Sequence, residues 1–182
     1  MAPKILPLPD SSTQHMNDKG KPTKDFTNWL KSASDYLNRL SLRSSAVVYS
    51  SAVQSIPDSV WTQITGWDTS VVNTAGVWSS GEQDRLIAQV AGTYLVQTTM
   101  QFAGSSVGLY RGLEFSVNGI RKDGSGFPGY LLPPGTGAQQ MFLSMSGIIS
   151  LAANDYVGVF VYQDSGGALN VQGYQFAMTM QI

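Results

Sequence analysis

The sequence contains no cysteine and a single histidine, His15. Disulfides and thiolate metal sites are thereby excluded, and no redox compartment can be inferred. His15 lies in a polar stretch ahead of any apolar pattern, a poor position for a general base or a metal ligand. Charge is scarce too: Asp, Glu, Lys and Arg make up 13% of the chain and the net is -1. No overall basic field draws nucleic acid or an anionic membrane. No run approaches the ~20 apolar residues of a membrane span, and the opening MAPKILPLPDSS lacks the long apolar core of a secretory signal. These absences point to a chain made in the cytoplasm, with no cofactor, no bound nucleic acid and no membrane insertion. What is present is glycine (19 residues) and aromatic side chains (10%), which with the low charge favour an all-β chain with many tight turns.

The pattern is clearest at Ser146–Val171, SGIISLAANDYVGVFVYQDSGGALNV. It reads as strand, turn, strand, hairpin, strand, with turns at Ala152–Asp155 and Asp164–Gly167. In its central run Val157, Val159 and Val161 share one face, while Tyr156, Phe160 and Tyr162 share the other. A strand apolar on both faces is normally covered on both, and in a one-core domain the second covering is expected from another subunit.

Met1–Lys21 places Ile5, Leu6 and Leu8 between prolines, which favour extended backbone and preclude a core element. The segment is either an unstructured tail or an extended arm that docks its apolar side chains on a partner. Thr23–Ser44 is helical in pattern, with Phe26, Leu30, Ala33, Leu37 and Leu40 on one stripe, Thr23 as N-cap and Asp25 in the first turn. The stripe suits a short self-associating seam or, with Trp29 and Tyr36 beside it, packing flat on a domain. Strands are expected at Ala46–Val53, Val60–Thr65, Arg85–Val90, Thr93–Ala103, Leu113–Val117 and from Tyr174 to the end, with a type I′ hairpin turn at Asn118-Gly119. The total of about eight to ten short strands fits a jelly roll or related sandwich. The layout is an arm (1–22), a helix (23–45) and a β knob (46–182).

Catalytic patterns find little support. Gly104-Ser105-Ser106-Val107-Gly108 matches G-x-S-x-G, but no helix is expected after it and no histidine follows. The carboxylates Asp58, Asp68, Glu82, Asp84, Glu114, Asp123, Asp155 and Asp164 are scattered without metal-site spacing. The ligand-binding candidates are Phe127, Tyr130, Leu131 and Leu132 in the Gly/Pro-rich stretch Asp123–Gln140, where exposed rings suit stacking against sugars. Packing of the same groups on a neighbouring subunit or over the knob remains the alternative.

From Ala46 onward the sequence resembles the C1q/TNF-like domains. The resemblance rests on Trp61–Thr69, Trp78, Asp84-Arg85-Leu86, Gly92-Thr93-Tyr94-Leu95-Val96, Phe115–Gly119, Ser146-Gly147 with Leu151, Asp155-Tyr156-Val157, Gln163–Gly166 and Phe176. Asn154 stands where the family usually has glycine, and asparagine tolerates the same left-handed turn. The resemblance implies a ten-stranded jelly roll and a homotrimer, with Tyr156, Phe160 and Tyr162 at the interface and Leu30, Leu37 and Leu40 along a stalk. Leu6-Pro7-Leu8-Pro9 and Gly20-Lys21-Pro22-Thr23 with Phe26, Trp29 and Leu30 resemble the N-terminal anchors of bacteriophage virion appendages. That implies a non-enzymatic short fibre or spike, made in the host cytoplasm and carried on the virion. Ile5, Leu6, Leu8, Phe26 and Trp29 would bind other virion proteins, and the knob would bind a host cell-surface glycan or protein. A bacterial C1q-like adhesion protein and a capsid decoration protein that binds nothing are the alternatives.

Overall fold

The computed structural model describes residues 16–17, 19–41, 44–121 and 140–181, with the backbone alone for 35–41. The chain divides into two compact units, Met1–Arg43 with Ile182, and Ser44–Gln181.

In the first unit a bridge between Met16 and Pro22 closes a tight loop. Asn17 holds it: its Oδ1 accepts the backbone N–H groups of Lys19 and Lys21, both at 3.0 Å. Helix α1 follows at Lys24–Ser41. Thr23 caps it by accepting the Phe26 N–H on its hydroxyl at 3.4 Å, satisfying a donor the first turn leaves free. Phe26 and Trp29, three residues apart, stack with ring centroids 6.1 Å apart.

The second unit is a sandwich of two antiparallel sheets in a jelly roll. Its strands are β1 (Ser45–Ser50), β2 (Gln54–Ile56), β3 (Thr62–Gln63), β4 (Thr69–Thr74), β5 (Leu86–Ile87), β6 (Gly92–Phe102), β7 (Arg111–Val117), β8 (Ile120–Arg121), β9 (Met141–Leu151), β10 (Tyr156–Gln163) and β11 (Leu169–Gln181). One sheet runs β4-β1-β11-β6-β9 with β2 also on β11; the other runs β3-β10-β7-β8 with β5 also on β10. The two-face alternation expected of β10 holds, and β6 and the later part of β11 alternate likewise. Tyr94, Val96, Met100 and Phe102 point inward from β6, Val157, Val159 and Val161 from β10, and Tyr174, Phe176 and Met178 from β11, all essentially without solvent contact. Trp67 sits among them, edge-on to Tyr174 at 4.9 Å and tilted against Phe176 at 5.2 Å.

The turn after β10 is not a hairpin, contrary to the sequence reading. β10 pairs with β3, β5 and β7, whereas β9 and β11 both belong to the other sheet. Both short turns therefore carry the chain across the sandwich. Turn composition marks where a strand ends but not which sheet receives the next one. Asn118-Gly119 does form the expected turn, joining β7 to β8 with φ of 53° and 77°, and Asn154 takes φ 69° where the resemblance called for a glycine-like residue.

Chain direction gives the sandwich two distinct ends. Ser45 opens β1 opposite Thr179 near the finish of β11, so both ends of the unit leave from one end of the sheet. At the other end lie the close of β6, the start of β7 and the turn after β10.

Candidate functional site

No cluster of metal-binding side chains occurs among the described residues. Three surfaces of the second unit carry candidate residues: the outer face of each sheet, and the end remote from Ser45 and Thr179.

The outer face of the five-stranded sheet carries Tyr156, Phe160 and Tyr162, and all three are only half-buried. Their second covering comes in part from the same chain. The Trp61 ring lies 5.4 Å from that of Tyr162. The Arg121 guanidinium sits 4.9 Å above Trp61 and donates to Glu114 Oε2 at 3.0 Å. At the other end of β10 the Arg85 guanidinium sits 4.2 Å above the Tyr156 ring and donates from Nε and Nη2 to both Asp84 oxygens at 2.8 Å. Between them Gly158 leaves room for neighbouring polar groups: a Cβ there would lie 2.9 Å from Ser116 Oγ and 3.0 Å from Gln63 Nε2. The strand is apolar on both faces because one face fills the core and the other receives rings and guanidinium planes, which can face water at their edges.

The six-stranded sheet is different. None of its strands contains Asp, Glu, Lys, Arg or His, although charged residues make up 13% of the chain. Its outer face presents Gln97, Thr99 and Gln101 from β6, Ser144, Ser146 and Ser150 from β9, and Gln175, Ala177 and Thr179 from β11. Among these neutral groups Phe142 is 63% exposed and Ile148 is 65% exposed, both on β9, which pairs with β6 alone among the described strands. Thr99 and Ser144 bridge the two strands through their hydroxyls at 3.0 Å. A wide face without charge and with large exposed apolar groups has the composition of a buried protein contact, not of a water-facing sheet.

At the remote end the segment Gly104–Tyr110 joins β6 to β7 and exposes Val107, Leu109 and Tyr110. A buried ion pair fixes this loop. Arg111 is 1% exposed and meets Asp164 Oδ1 at 3.3 Å, while its other donors reach the carbonyl oxygens of Tyr110 at 2.7 Å and Val107 at 3.0 Å. The same carboxylate oxygen accepts the N–H groups of Leu109 and Tyr110 at 2.9 and 2.8 Å. Gly108 has φ 90° and a Cβ there would fall 2.3 Å from the Asp164 carbonyl oxygen, so the close approach of the two turns requires glycine. Burial disfavours the Arg111 charge, and the nearby carboxylate of Asp164 favours it.

The G-x-S-x-G pattern belongs to this loop. Ser105 Oγ accepts the Val107 N–H at 3.2 Å and donates to the Val107 carbonyl at 3.3 Å, and the chain runs on into β7 without a helix. The strand–turn–helix of a nucleophile elbow is absent there. Phe127, Tyr130, Leu131 and Leu132 lie outside the described residues, as do Ile5, Leu6, Leu8 and the side chains of Leu37 and Leu40. Leu30 is 45% exposed and Phe26 and Trp29 are half-buried. Composition and spacing missed Arg111 and Trp61; the one trace of Arg111 is that it is the only cation in β7.

No protein-family model matches the chain, and no curated protein matches it. Among solved structures, murine APRIL at pH 5.0 superposes with a TM-score of 0.50 at 11% identity, over 76% of this chain and 99% of its own. The globular domain of zebrafish complement 1qA protein is similar with a TM-score of 0.48 at 12% identity, over 76% and 98%. The fold is a C1q/TNF-like jelly roll; at these identities the likeness concerns fold alone.

Two outcomes follow from the ion pairs. Removing the guanidinium takes the donors from the Tyr110 and Val107 carbonyls and the counter-charge from Asp164, so Arg111→Gln should cost about 1–3 kcal/mol in chemical denaturation. The Arg85 guanidinium beside Asp84 holds its carboxyl below the usual carboxylate range. A lowered folded-state value adds stability that is complete above the unfolded value of about 4 and is lost as pH falls through the lower one. Asp84→Asn should therefore flatten the fall in stability below about pH 4 and lower stability at neutral pH, both read from denaturation midpoints.

Proposed function

We propose that the protein is a non-enzymatic homotrimeric attachment protein, a short fibre or spike of a bacteriophage particle whose knob faces the host surface. The observation that carries the trimer is the charge-free outer face of the six-stranded sheet with Phe142 and Ile148 exposed on it. Such a face is costly to leave in water and needs no charge compensation when covered by another copy. C1q and TNF-family domains are homotrimers, which supports the same reading. The expected interface at Tyr156, Phe160 and Tyr162 has weaker support, because Trp61, Arg85 and Arg121 already occupy much of that face.

The attachment role rests on the two-unit plan and on chain direction. The first strand of the knob begins at the end where Ser45 and Thr179 pair. The opposite end holds Val107, Leu109 and Tyr110 on a loop fixed by the Arg111–Asp164 pair. A fixed loop loses little conformational freedom on contact, and three copies per knob strengthen weak individual contacts by avidity. Phe127, Tyr130, Leu131 and Leu132 are proposed to join that surface and bind a host glycan or protein. The arm with Ile5, Leu6 and Leu8, together with Phe26 and Trp29, is proposed to anchor the protein on the particle.

Light scattering on the full chain tests the trimer. The expected mass is three times the 19.6 kDa chain, and the double change Phe142→Asp with Ile148→Asp is expected to release folded monomers. A wild-type monomer at micromolar concentration would end the reading. A trimer indifferent to both changes but broken by Phe160→Ser would return the interface to β10.

A further inference from the structure

Charge is divided unevenly between the two units. Residues 1–43 hold seven of the eleven Lys and Arg but four of the twelve Asp and Glu, a net of +3, whereas residues 44–182 carry a net of -4. The near-zero charge of the whole chain conceals this split. In the first unit Lys19, Lys21, Lys24 and Lys31 are all exposed, and none of the three ion pairs of the described residues involves them. Lys24 and Lys31, seven residues apart, share the polar face of α1, while Phe26, Trp29, Leu30 and Ala33 follow the opposite stripe. Lys19 and Lys21 are carried beside the start of the helix by the loop that Asn17 ties together.

From this division we infer that the first unit docks on an acidic protein surface, with the four lysines making the contact. The inference rests on the anchoring role proposed above and specifies the chemistry of the partner. Charge complementarity selects an anionic partner, and the pattern within the unit narrows it. Asp25, exposed in the first turn of α1, stands among the lysines. A bilayer of anionic lipid or a nucleic-acid backbone presents one sign of charge and would repel that carboxylate. A protein surface can set its own cations opposite it. The knob cannot substitute for this contact, because its own net charge is negative and the charges of its β10 face are already paired. Self-association through the apolar stripe would leave the lysines outward and triple their number around the stalk.

The test uses the full chain on immobilised poly-L-glutamate at neutral pH, with phosphatidylglycerol vesicles and duplex DNA as parallel probes. The wild type should be retained at low salt, despite its overall charge of -1, and released as salt screens the contact. The variant Lys19→Gln/Lys21→Gln/Lys24→Gln/Lys31→Gln should pass through at the starting salt, with unchanged oligomeric mass and helix content. Failure of the wild type to be retained, or equal retention of the variant, overturns the inference. Vesicles or DNA that hold the wild type to higher salt than polyglutamate also overturn it, in favour of a lipid or nucleic-acid partner. The anchoring reading fails separately. A variant that loses retention yet enters particles normally removes the acidic partner alone, whereas a wild-type chain that never accompanies particles removes the anchor.

Discussion

Every feature of this knob depends on apolar contact between its two sheets. Val157, Val159 and Val161 on β10 and Phe115 beside them on β7 share a core with Trp67 and with Phe176 of the other sheet, all without solvent contact. Those residues determine which side of each strand points inward, and hence what each sheet shows on its outside. A one-residue slip would reverse every choice, so the two outer faces are as strongly specified as the core.

The two faces meet water in different ways. On the five-stranded sheet, guanidinium groups lie over rings, with Arg85 on Tyr156 and Arg121 on Trp61, and their carboxylate partners are supplied locally by Asp84 and Glu114. Each of these groups has an apolar surface to cover what lies beneath and a polar edge for solvent. The six-stranded sheet has no such device: its strands carry no charge, and Phe142 and Ile148 stand among Ser, Thr and Gln. One face is covered in part by the chain itself, and the other has the composition of a contact surface. Among the described strands β9 pairs with β6 alone, and a partner over that second face would also shield its other edge from unwanted strand pairing.

Much of this was legible in the sequence, for identifiable reasons. β6 is long and alternates throughout, and β11 alternates from Tyr174 onward, so periodicity places them; the register shift between Gln172 and Gln175 hides that Leu169–Val171 belongs to the same strand. Asn118-Gly119 marks a turn because both positions take positive φ. β4 was missed because Thr69–Thr74 is exposed throughout and shows no burial pattern. The β10–β11 turn misled because a turn that crosses between sheets has the same composition as a hairpin. The doubly apolar character of β10 was legible, whereas the part of its covering that the same chain supplies was not, since the ring of Trp61 precedes Tyr162 by just over a hundred residues and no local pattern connects them. The importance of Arg111 was equally hidden, because a buried arginine is recognisable only once Asp164 is brought beside it. The candidate loop at Asp123–Gln140 lies almost wholly outside the described residues, so its role stays a proposal.

The central claim is that the charge-free sheet face is covered by other copies of this chain while the β10 face and the Gly104–Tyr110 loop meet solvent. Hydroxyl-radical footprinting of the full chain in solution compares these surfaces within one molecule, side chain by side chain. Phe142 and Ile148 should be protected while Leu109 and Tyr110 are modified freely, although all four are exposed in the single chain. Equal modification of Phe142, Ile148 and Leu109 would contradict the account, because the face that the fold leaves without charge would then be facing water.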